Sequence, residues 1–536
     1  MLCPLLPLVY SLLFVSCRAA RVEGDCIRDD EALNILAKQL SPNSIISCKG
    51  QPLSIFSANR YWGKQYGKNA SVVVFPTTTE DVSKAMKASK KSKCGNGLSF
   101  VSGAHAQTFA SSTKGFQIDL SWMNQTKILH NVKVDDASID TAIQYQSGAT
   151  WEGVAKVTNN SGYTAIGARV GNVGVGGFST GGGVGFLGGS YGFAVDRVRA
   201  FEVVLPDGRM VNATKTNKYS DLFWALQGGN GQFGAVTTFY QEAAAEPTQS
   251  QLGFFFIAPG KANKRKAYEN IADFFTNHGK SGGDPFSLMY YDTGLFPPAL
   301  QGNSTEPTDL IVALRFSNPN DPKQKSFNET FRGLLSGIDF TAQQISEVPF
   351  ASATTYLLEP FFPYGSRRGF WGSRVTEVDA DFIAKVTDVV AKSVSDLQAT
   401  GESPVSHIYA LQYQFPGLNG HQPKNDDDTA WPHAVTAHQT LFSPAWNRSS
   451  NDALVYHVND MLNKITWDRQ AQLDPPFVAD YPNYMSPNVT ARRLFGDNVD
   501  RLIQVKEKYD PDCRLHQGRT WATNACKKLG VASFFP

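Results

Sequence analysis

The chain has no surplus of either charge. Its 50 Lys and Arg against 48 Asp and Glu leave a formal net charge of +2 over 536 residues. Proteins that hold nucleic acid or an acidic membrane surface by bulk charge carry a basic excess, so partners of that kind are excluded. No CxxC or HExxH occurs and the nine histidines are scattered, which leaves no metal site of the usual ligand spacing. No GK[ST] follows a glycine run, so a P-loop is excluded. No apolar run reaches the length needed to cross a bilayer.

Cysteine is also scarce, and its placement is informative. The run from Leu8 to Val15, followed by Ala19 and Ala20, has the shape of a secretory signal cleaved near Ala20, although its start lacks Lys or Arg. Beyond it stand five cysteines, Cys26, Cys48, Cys94, Cys513 and Cys526. An odd number requires one thiol to be free or paired between chains. Cys26 with Cys48, and Cys513 with Cys526, are the pairings expected. Eight Asn-x-Ser/Thr sequons, at Asn69, Asn124, Asn159, Asn212, Asn303, Asn328, Asn447 and Asn488, agree with a secreted, glycosylated chain that keeps no stable membrane association once the signal is removed.

Glycine, by contrast, is concentrated. Residues 162–198 read GYTAIGARVGNVGVGGFSTGGGVGFLGGSYGFAVDRV. Each glycine loses more backbone freedom on ordering than any other residue, so something must offset that loss. A large ligand that the backbone approaches closely, with N–H groups turned to phosphate or heteroaromatic acceptors, would do so. Gly183-Val-Gly185-Phe-Leu-Gly188 matches GxGxxG formally, but the glycines on both sides spoil the strand that a dinucleotide fingerprint must follow.

Along the chain, strand and helix alternate. SVVVF, LSFVSGAH and an alternating FQIDLSWMN read as strands, with a Ser/Thr-capped helix opening at Thr79 and another over Trp151 to Thr158. RAFEVVLPDGRMVNAT is a hairpin on Asp207-Gly208, and SDLFWALQGGNG a Ser-capped helix entering a second glycine turn. From about residue 246 to 475 the chain is glycine-poor and aromatic-rich, with strands such as LGFFFIAPG, DLIVALRF and SHIYALQYQF forming one broad sheet. The helix DADFIAKVTDVVAKSVSDL puts Phe382, Val386, Val389, Val390 and Leu397 on one face. The tail VTARRLFGDNVDRLIQVKEKYDP reads as one amphipathic helix ended at Asp510-Pro511. Asp426 to Asp428 lack calcium-loop spacing and read as surface, while Arg367, Arg368, Phe370 and Trp371 are compatible with a substrate mouth or an exposed loop.

Five pieces, in order, carry a resemblance: PTTTEDV; SGAH with IDLSWMN; VGNVGVGGFSTGGGVGFLGGSYGFAVDRV with VVLPDGRMV; DLFWALQGGNGQFGAVT; and YPNY with LFGDNVDRLIQVKEKYDP. Together they resemble the vanillyl-alcohol-oxidase-type flavoproteins, in the berberine-bridge-enzyme-like branch. The resemblance implies an α+β fold: a two-subdomain FAD-binding domain of the PCMH type, split in sequence around an α+β substrate domain with a large antiparallel sheet. The segments expected are a signal at 1–20, an N-terminal segment at 21–64, the FAD-binding domain at 65–245, the substrate domain at 246–475 and a returning segment at 476–536.

The same resemblance implies FAD with its pyrophosphate on the loop Ser102, Gly103, Ala104, His105, Ala106, and a single covalent link through His105 to the flavin 8α carbon. The family motif is SGGHS, so Ala104 and Ala106 are departures. The second link made by a cysteine in many relatives is not expected, because that place reads Arg169-Val170-Gly171-Asn172. Gly174, Gly176, Gly177, Gly181, Gly182 and Gly183, with Tyr481 and Asn483, are expected around the cofactor. Val173 takes the place that governs oxygen access and resembles the oxidases. Tyr484 is the expected base, with Tyr413 and Gln414 as pocket neighbours, since an alcohol or phenol must lose its O–H proton as hydride leaves carbon. The implied activity is a secreted oxidase passing hydride from a small secondary-metabolite alcohol or phenolic to flavin N5, with dioxygen reduced to hydrogen peroxide. A carbohydrate oxidase and a flavin-carrying binding or cyclase-like protein are the alternatives.

Overall fold

The computed structural model describes residues 20–94, 97–278, 286–297, 300, 306–317, 325–402, 406–412, 423–486 and 488–531. The signal reading and the sequon at Asn303 lie outside these residues.

Two sheets form the N-terminal half. In the first, β1 (Arg21–Glu23), β2 (Ile45–Cys48), β3 (Val72–Phe75), β4 (Leu98–Val101) and β5 (Phe116–Asp119) run in the order β1-β2-β3-β5-β4. β5 pairs in parallel with β3 and with β4 and all four of its residues are buried, so the expected alternation of FQID is not seen. A strand covered on both faces has no solvent side to display. The helix Thr79–Ser89 starts as expected: the Thr78 side chain accepts from the Asp81 backbone N–H.

In the second sheet, β6 (Thr126–Val134), β7 (Ala137–Gln146), β9 (Val198–Val204), β10 (Met210–Thr214) and β11 (Ala235–Glu242) are antiparallel in the order β10-β9-β11-β7-β6. Short strands β8 (Tyr163–Thr164) and β12 (Ala244–Ala245) pair beside it. The helix Ser220–Leu226 is not Ser-capped; Tyr219 occupies the cap and makes no side-chain bond there.

The third sheet has eight strands: β13 (Gln249–Ile257), β14 (Ser287–Leu295), β15 (Thr308–Ser317), β16 (Phe340–Val348), β17 (Arg367–Arg368), β18 (Arg374–Val375), β19 (Ser406–Gln412) and β20 (His438–Trp446). Its pairings are antiparallel throughout. Successive strand residues face opposite sides. Met289, Tyr291, Ile311, Ala313, Tyr409 and Leu411 pack on helices Lys261–Asn277, Ala380–Ala399 and Asp452–Gln470. Leu288, Tyr290, Leu310, Val312, Leu314 and Ile408 turn the other way, onto Ile166, Phe186 and Leu187 of the glycine-rich segment.

The tail is not one helix. Ala491–Phe495 is separated from Val499–Tyr509 by a 3-10 turn, Gly496–Asn498, opened by Gly496 at φ +51°. Leu494, Phe495, Leu502 and Val505 return to the core built on β7, β9 and β11. Disulfides Cys26–Cys48 and Cys513–Cys526 are both formed and Cys94 is a free thiol. No helix among the described residues is long and apolar enough to cross a membrane.

The tail is held by a fully buried ion pair. Lys506 Nζ donates to Asp510 (2.8 Å) and to the carbonyls of Gln232 and Leu515 (both 2.7 Å). Taking one partner from such a pair strands the other charge. Asp510→Asn should therefore lower unfolding stability by about 3 to 5 kcal/mol in urea titration. A loss under about 1 kcal/mol would show that water reaches Lys506.

Candidate active site

A cavity of about 320 Å³ runs between the two N-terminal sheets and the inner face of the third. One end is lined by Gly229, Asn230, Gly231, Gln517 and Arg519, the middle by the loop 102–107 and the turn 173–177, and the far end by Arg169, Gln412 and Tyr484. Its walls are mostly small or apolar residues. Among the described residues no group of His, Cys, Asp and Glu is placed to hold a metal ion.

Glycine makes this shape. A Cβ on Gly103 would sit 2.1 Å from the Gly174 backbone nitrogen, and a Cβ on Gly174 would sit 2.1 Å from that of Gly103. The two loops therefore meet backbone to backbone. Gly177 differs: its Cβ would have nothing within 4 Å, because it would point into the cavity. Ala104 adopts φ +56°, the left-handed conformation that the usual glycine there would take without cost. Thr108 (φ +63°) and Phe109 (φ +62°) make a second left-handed turn four residues on. Small residues and left-handed turns of this kind let backbone N–H groups approach an extended phosphate-bearing ligand. The residues present thus fit FAD.

His105 lies where the loop meets the third sheet. Its ring stacks on Trp62 at 5.6 Å and 13°, and its Nε2 is 2.9 Å from Tyr364 Oη. Burial, with the charge of Arg60 acting in the same direction, lowers its pKa to about 4. The imidazole is therefore neutral at neutral pH. When Nε2–H donates to Tyr364, Nδ1 carries a free lone pair.

Arg169 organises the far end. It is buried, and its guanidinium donates to Gln412 Oε1 (2.7 Å), to Tyr290 Oη (3.3 Å) and to Tyr484 Oη. Burial works against its charge, but the Tyr484 and Tyr290 oxygens more than compensate and its pKa moves up. Sequence reasoning read residues 169–172 only for a missing cysteine and overlooked this arginine. A single charged residue in the stretch 162–195 was the available signal.

The remaining predicted residues divide. Ser102, Gly103, Ala104, His105, Ala106, Val173, Gly174, Gly176, Gly177, Tyr481, Asn483 and Tyr484 all line the cavity. Gly181, Gly182 and Gly183 stand behind its wall. Asn483 Oδ1 would be 2.1 Å from a Cβ on Gly181, and Trp431 Cε3 would be 2.7 Å from one on Gly182. Tyr481 Oη accepts from the N–H groups of Gly183 (3.2 Å) and Val184 (3.0 Å), so this hydroxyl holds the turn. Tyr413 and Gln414 lie outside the described residues; Gln412, the last residue of β19, lines the cavity. The Arg367–Trp371 stretch is not a mouth: Arg367 pairs with Asp452, Arg368 and Trp371 are buried, and only Phe370 lines the cavity. Asp426, Asp427 and Asp428 are exposed, and the Asp428 carboxylate accepts from the N–H groups of Lys424 and Asn425.

Comparison with known proteins agrees with this geometry. The FAD binding domain family matches residues 70–214, and the berberine and berberine-like family matches residues 480–514. The FAD-dependent monooxygenase drtC of Aspergillus calidoustus is 25% identical over 477 residues, covering 86% of this chain and 84% of that one. Among solved structures, Physcomitrella patens BBE-like 1 superposes with a TM-score of 0.70 at 16% identity, covering 90% of this chain and 97% of that one. Glucooligosaccharide oxidase from Acremonium strictum, with its 6-S-cysteinyl, 8α-N1-histidyl FAD, gives 0.68 at 17% identity, covering 86% and 93%. The fold and site define an FAD-linked oxidoreductase. Residues 70–214 thus carry the FAD binding domain and residues 480–514 the berberine and berberine-like segment, and the fold is the one seen in BBE-like 1.

Gly177 tests the fit without touching the core. Gly177→Leu should fold with unchanged far-ultraviolet dichroism, since it stands in a helix where glycine is unfavourable by roughly 1 kcal/mol. The leucine would fill the cavity and the purified protein should be colourless. A yellow Gly177→Leu protein would place the cofactor elsewhere.

Proposed function

We propose that the protein is a secreted oxidase acting on a small, largely apolar alcohol or phenolic, with FAD joined covalently through His105 and Tyr484 as base. The observation that carries this reading is the coincidence, in one cavity, of a neutral histidine at the sheet junction and an arginine-bound tyrosine at the far end. Bound FAD supplies the acceptor for a hydride from substrate carbon and returns the electrons to dioxygen as hydrogen peroxide.

The chain's own residues do the rest. Leu358, Phe362, Phe370, Leu441 and Met485 offer an apolar wall, which suits an aromatic or aliphatic body better than a sugar. To receive the proton of the substrate hydroxyl, Tyr484 must first be a phenolate; Arg169, donating to Tyr484 Oη, stabilises that anion, and the negative charge passes to the substrate oxygen as the proton arrives. Gln412, bound to the same guanidinium, fixes its plane. His105 is neutral and its Nδ1 lone pair would form the bond to the 8α carbon, while Trp62, Tyr364 and Asn172 hold the ring. Val173, small and lining the cavity, leaves room for dioxygen.

Two variants read these roles apart. His105→Ala should release its yellow colour to the supernatant on acid precipitation, whereas the wild type keeps colour in the pellet. Tyr484→Phe should keep the colour but lose at least about a hundredfold in peroxide production, the usual weight of a general base. Turnover on a panel of phenolics, alcohols and sugars sets the substrate class; sugars alone would favour a carbohydrate oxidase, and no turnover with flavin bound a non-redox role.

Seven of the sequon asparagines, Asn69, Asn124, Asn159, Asn212, Asn328, Asn447 and Asn488, are exposed, which supports passage through the secretory pathway. Endoglycosidase should lower the mass of natively expressed protein by several glycans. An unchanged mass would remove the secretory assignment.

A further inference from the structure

Asp292 is a buried carboxyl that the reaction outlined above does not use. It stands on β14 two residues after Tyr290, so both side chains share the face of the sheet that meets Arg169. Its residues in register across the sheet are Leu310 and Ala410, neither of which donates a hydrogen bond from its side chain. It is 5% exposed and makes no hydrogen bond or ion pair among the described residues. The one charged group that acts on it is Arg169. The other groups around that guanidinium are the neutral amide of Gln412 and the phenols of Tyr290 and Tyr484.

We propose that Asp292 is a proton-dependent counter-charge to Arg169: protonated, it leaves the guanidinium's charge to an oxyanion held beside Tyr484, and ionised, it withdraws that charge. This rests on the reading of the Arg169 end as the place where the substrate oxygen binds. Asp292 is therefore a positioning residue acting through Arg169.

The direction with pH follows from burial. Loss of hydration raises the Asp292 carboxyl to about pKa 8, with Arg169 opposing the rise. Below that pH Asp292 is neutral, and while Tyr484 is a phenol the arginine's only compensation comes from neutral dipoles. A buried guanidinium in that state attracts an anion strongly. Above it, the new carboxylate supplies the missing negative charge from inside the protein, and a bound oxyanion becomes redundant. Affinity for an anion should then fall as pH rises through the Asp292 titration.

Benzoate tests this without turnover. It is an aromatic carboxylate small enough for the cavity, and it is ionised throughout the range. Calorimetric titration of the flavin-loaded protein at about pH 6 and about pH 9.5 brackets the Asp292 transition. In the wild type the dissociation constant should rise by roughly tenfold, the equivalent of one pKa unit of coupling. In Asp292→Asn it should stay within about twofold and match the tight, low-pH value. Asp292→Ala, which removes the group altogether, should show the same flat profile.

A merely structural role would shift both pH values alike, so equal pH dependence in wild type and Asp292→Asn overturns the proposal. A flat wild-type profile overturns it equally. Absence of benzoate binding at either pH overturns the oxyanion reading of the Arg169 end, and this proposal with it. Binding that Arg169→Gln abolishes, but that Asp292→Asn leaves pH-dependent, overturns the role of Asp292 alone.

Discussion

The contact between Gly103 and Gly174 is the constraint on which the rest of this molecule depends. Two loops from different sheets pass so close that neither tolerates a Cβ. Both loops line the cavity, and their approach sets the bend of the loop carrying His105. Ala104 bears the consequence. Its left-handed backbone costs an L-residue about 1 to 2 kcal/mol, and burial of its methyl among Tyr61, Tyr66 and Val101 offsets part of that. The loop is thus held by packing on its outer side and bent by backbone contact on its inner side. That explains how an alanine stands where the family motif has glycine.

Charge is distributed with the same economy. The cavity's far end holds one buried cation, and its hydrogen bonds go to an amide oxygen and two tyrosine hydroxyls, none to a carboxylate. Lys506 is matched by Asp510 and two carbonyls, Arg493 by Asp480 and Arg374 by three carbonyls, whereas Arg368, also fully buried, makes no hydrogen bond through its guanidinium and lies over the Trp62 ring. A matched ion pair stiffens a junction but has nothing left for a ligand. Arg169 lacks a bonded carboxylate, so it has charge to offer a substrate oxygen, and its tyrosine lies within reach of the same atom.

The sheets and helices of the N-terminal half were largely legible, because β-branched runs, caps and the Asp-Gly turn are local signals. Helix Trp151–Thr158 and the hairpin on Asp207-Gly208 fall where periodicity puts them. The failures are equally physical. FQID does not alternate because β5 is covered on both faces, and the tail helix breaks at one glycine of positive φ. The site was legible where a motif is contiguous, as at Ser102 to Ala106. Arg169 was not, because its partners stand 121, 243 and 315 residues away, and nothing local at 169 announces them. Gln517 and Arg519 were hidden for the same reason: the tail reaches the cavity only after the Lys506 junction turns it back.

The glycine-rich segment serves two purposes that composition alone cannot separate. Some of its glycines, such as Gly177, leave room for a ligand. Others, Gly181 and Gly182, leave room for protein, namely Asn483 and Trp431. The second group needs the returning chain, since a turn almost bare of side chains cannot anchor itself. Tyr481 supplies the anchor by accepting from two of its N–H groups, and Asn483 by donating to the Phe178 carbonyl at 3.1 Å. The same short stretch ends in Tyr484, so the residues that fix the wall and the residue that faces the substrate move as one piece. A displaced wall would carry the tyrosine away from Arg169, and this mechanical link explains why the segment 481–484 combines structural and chemical residues within four positions.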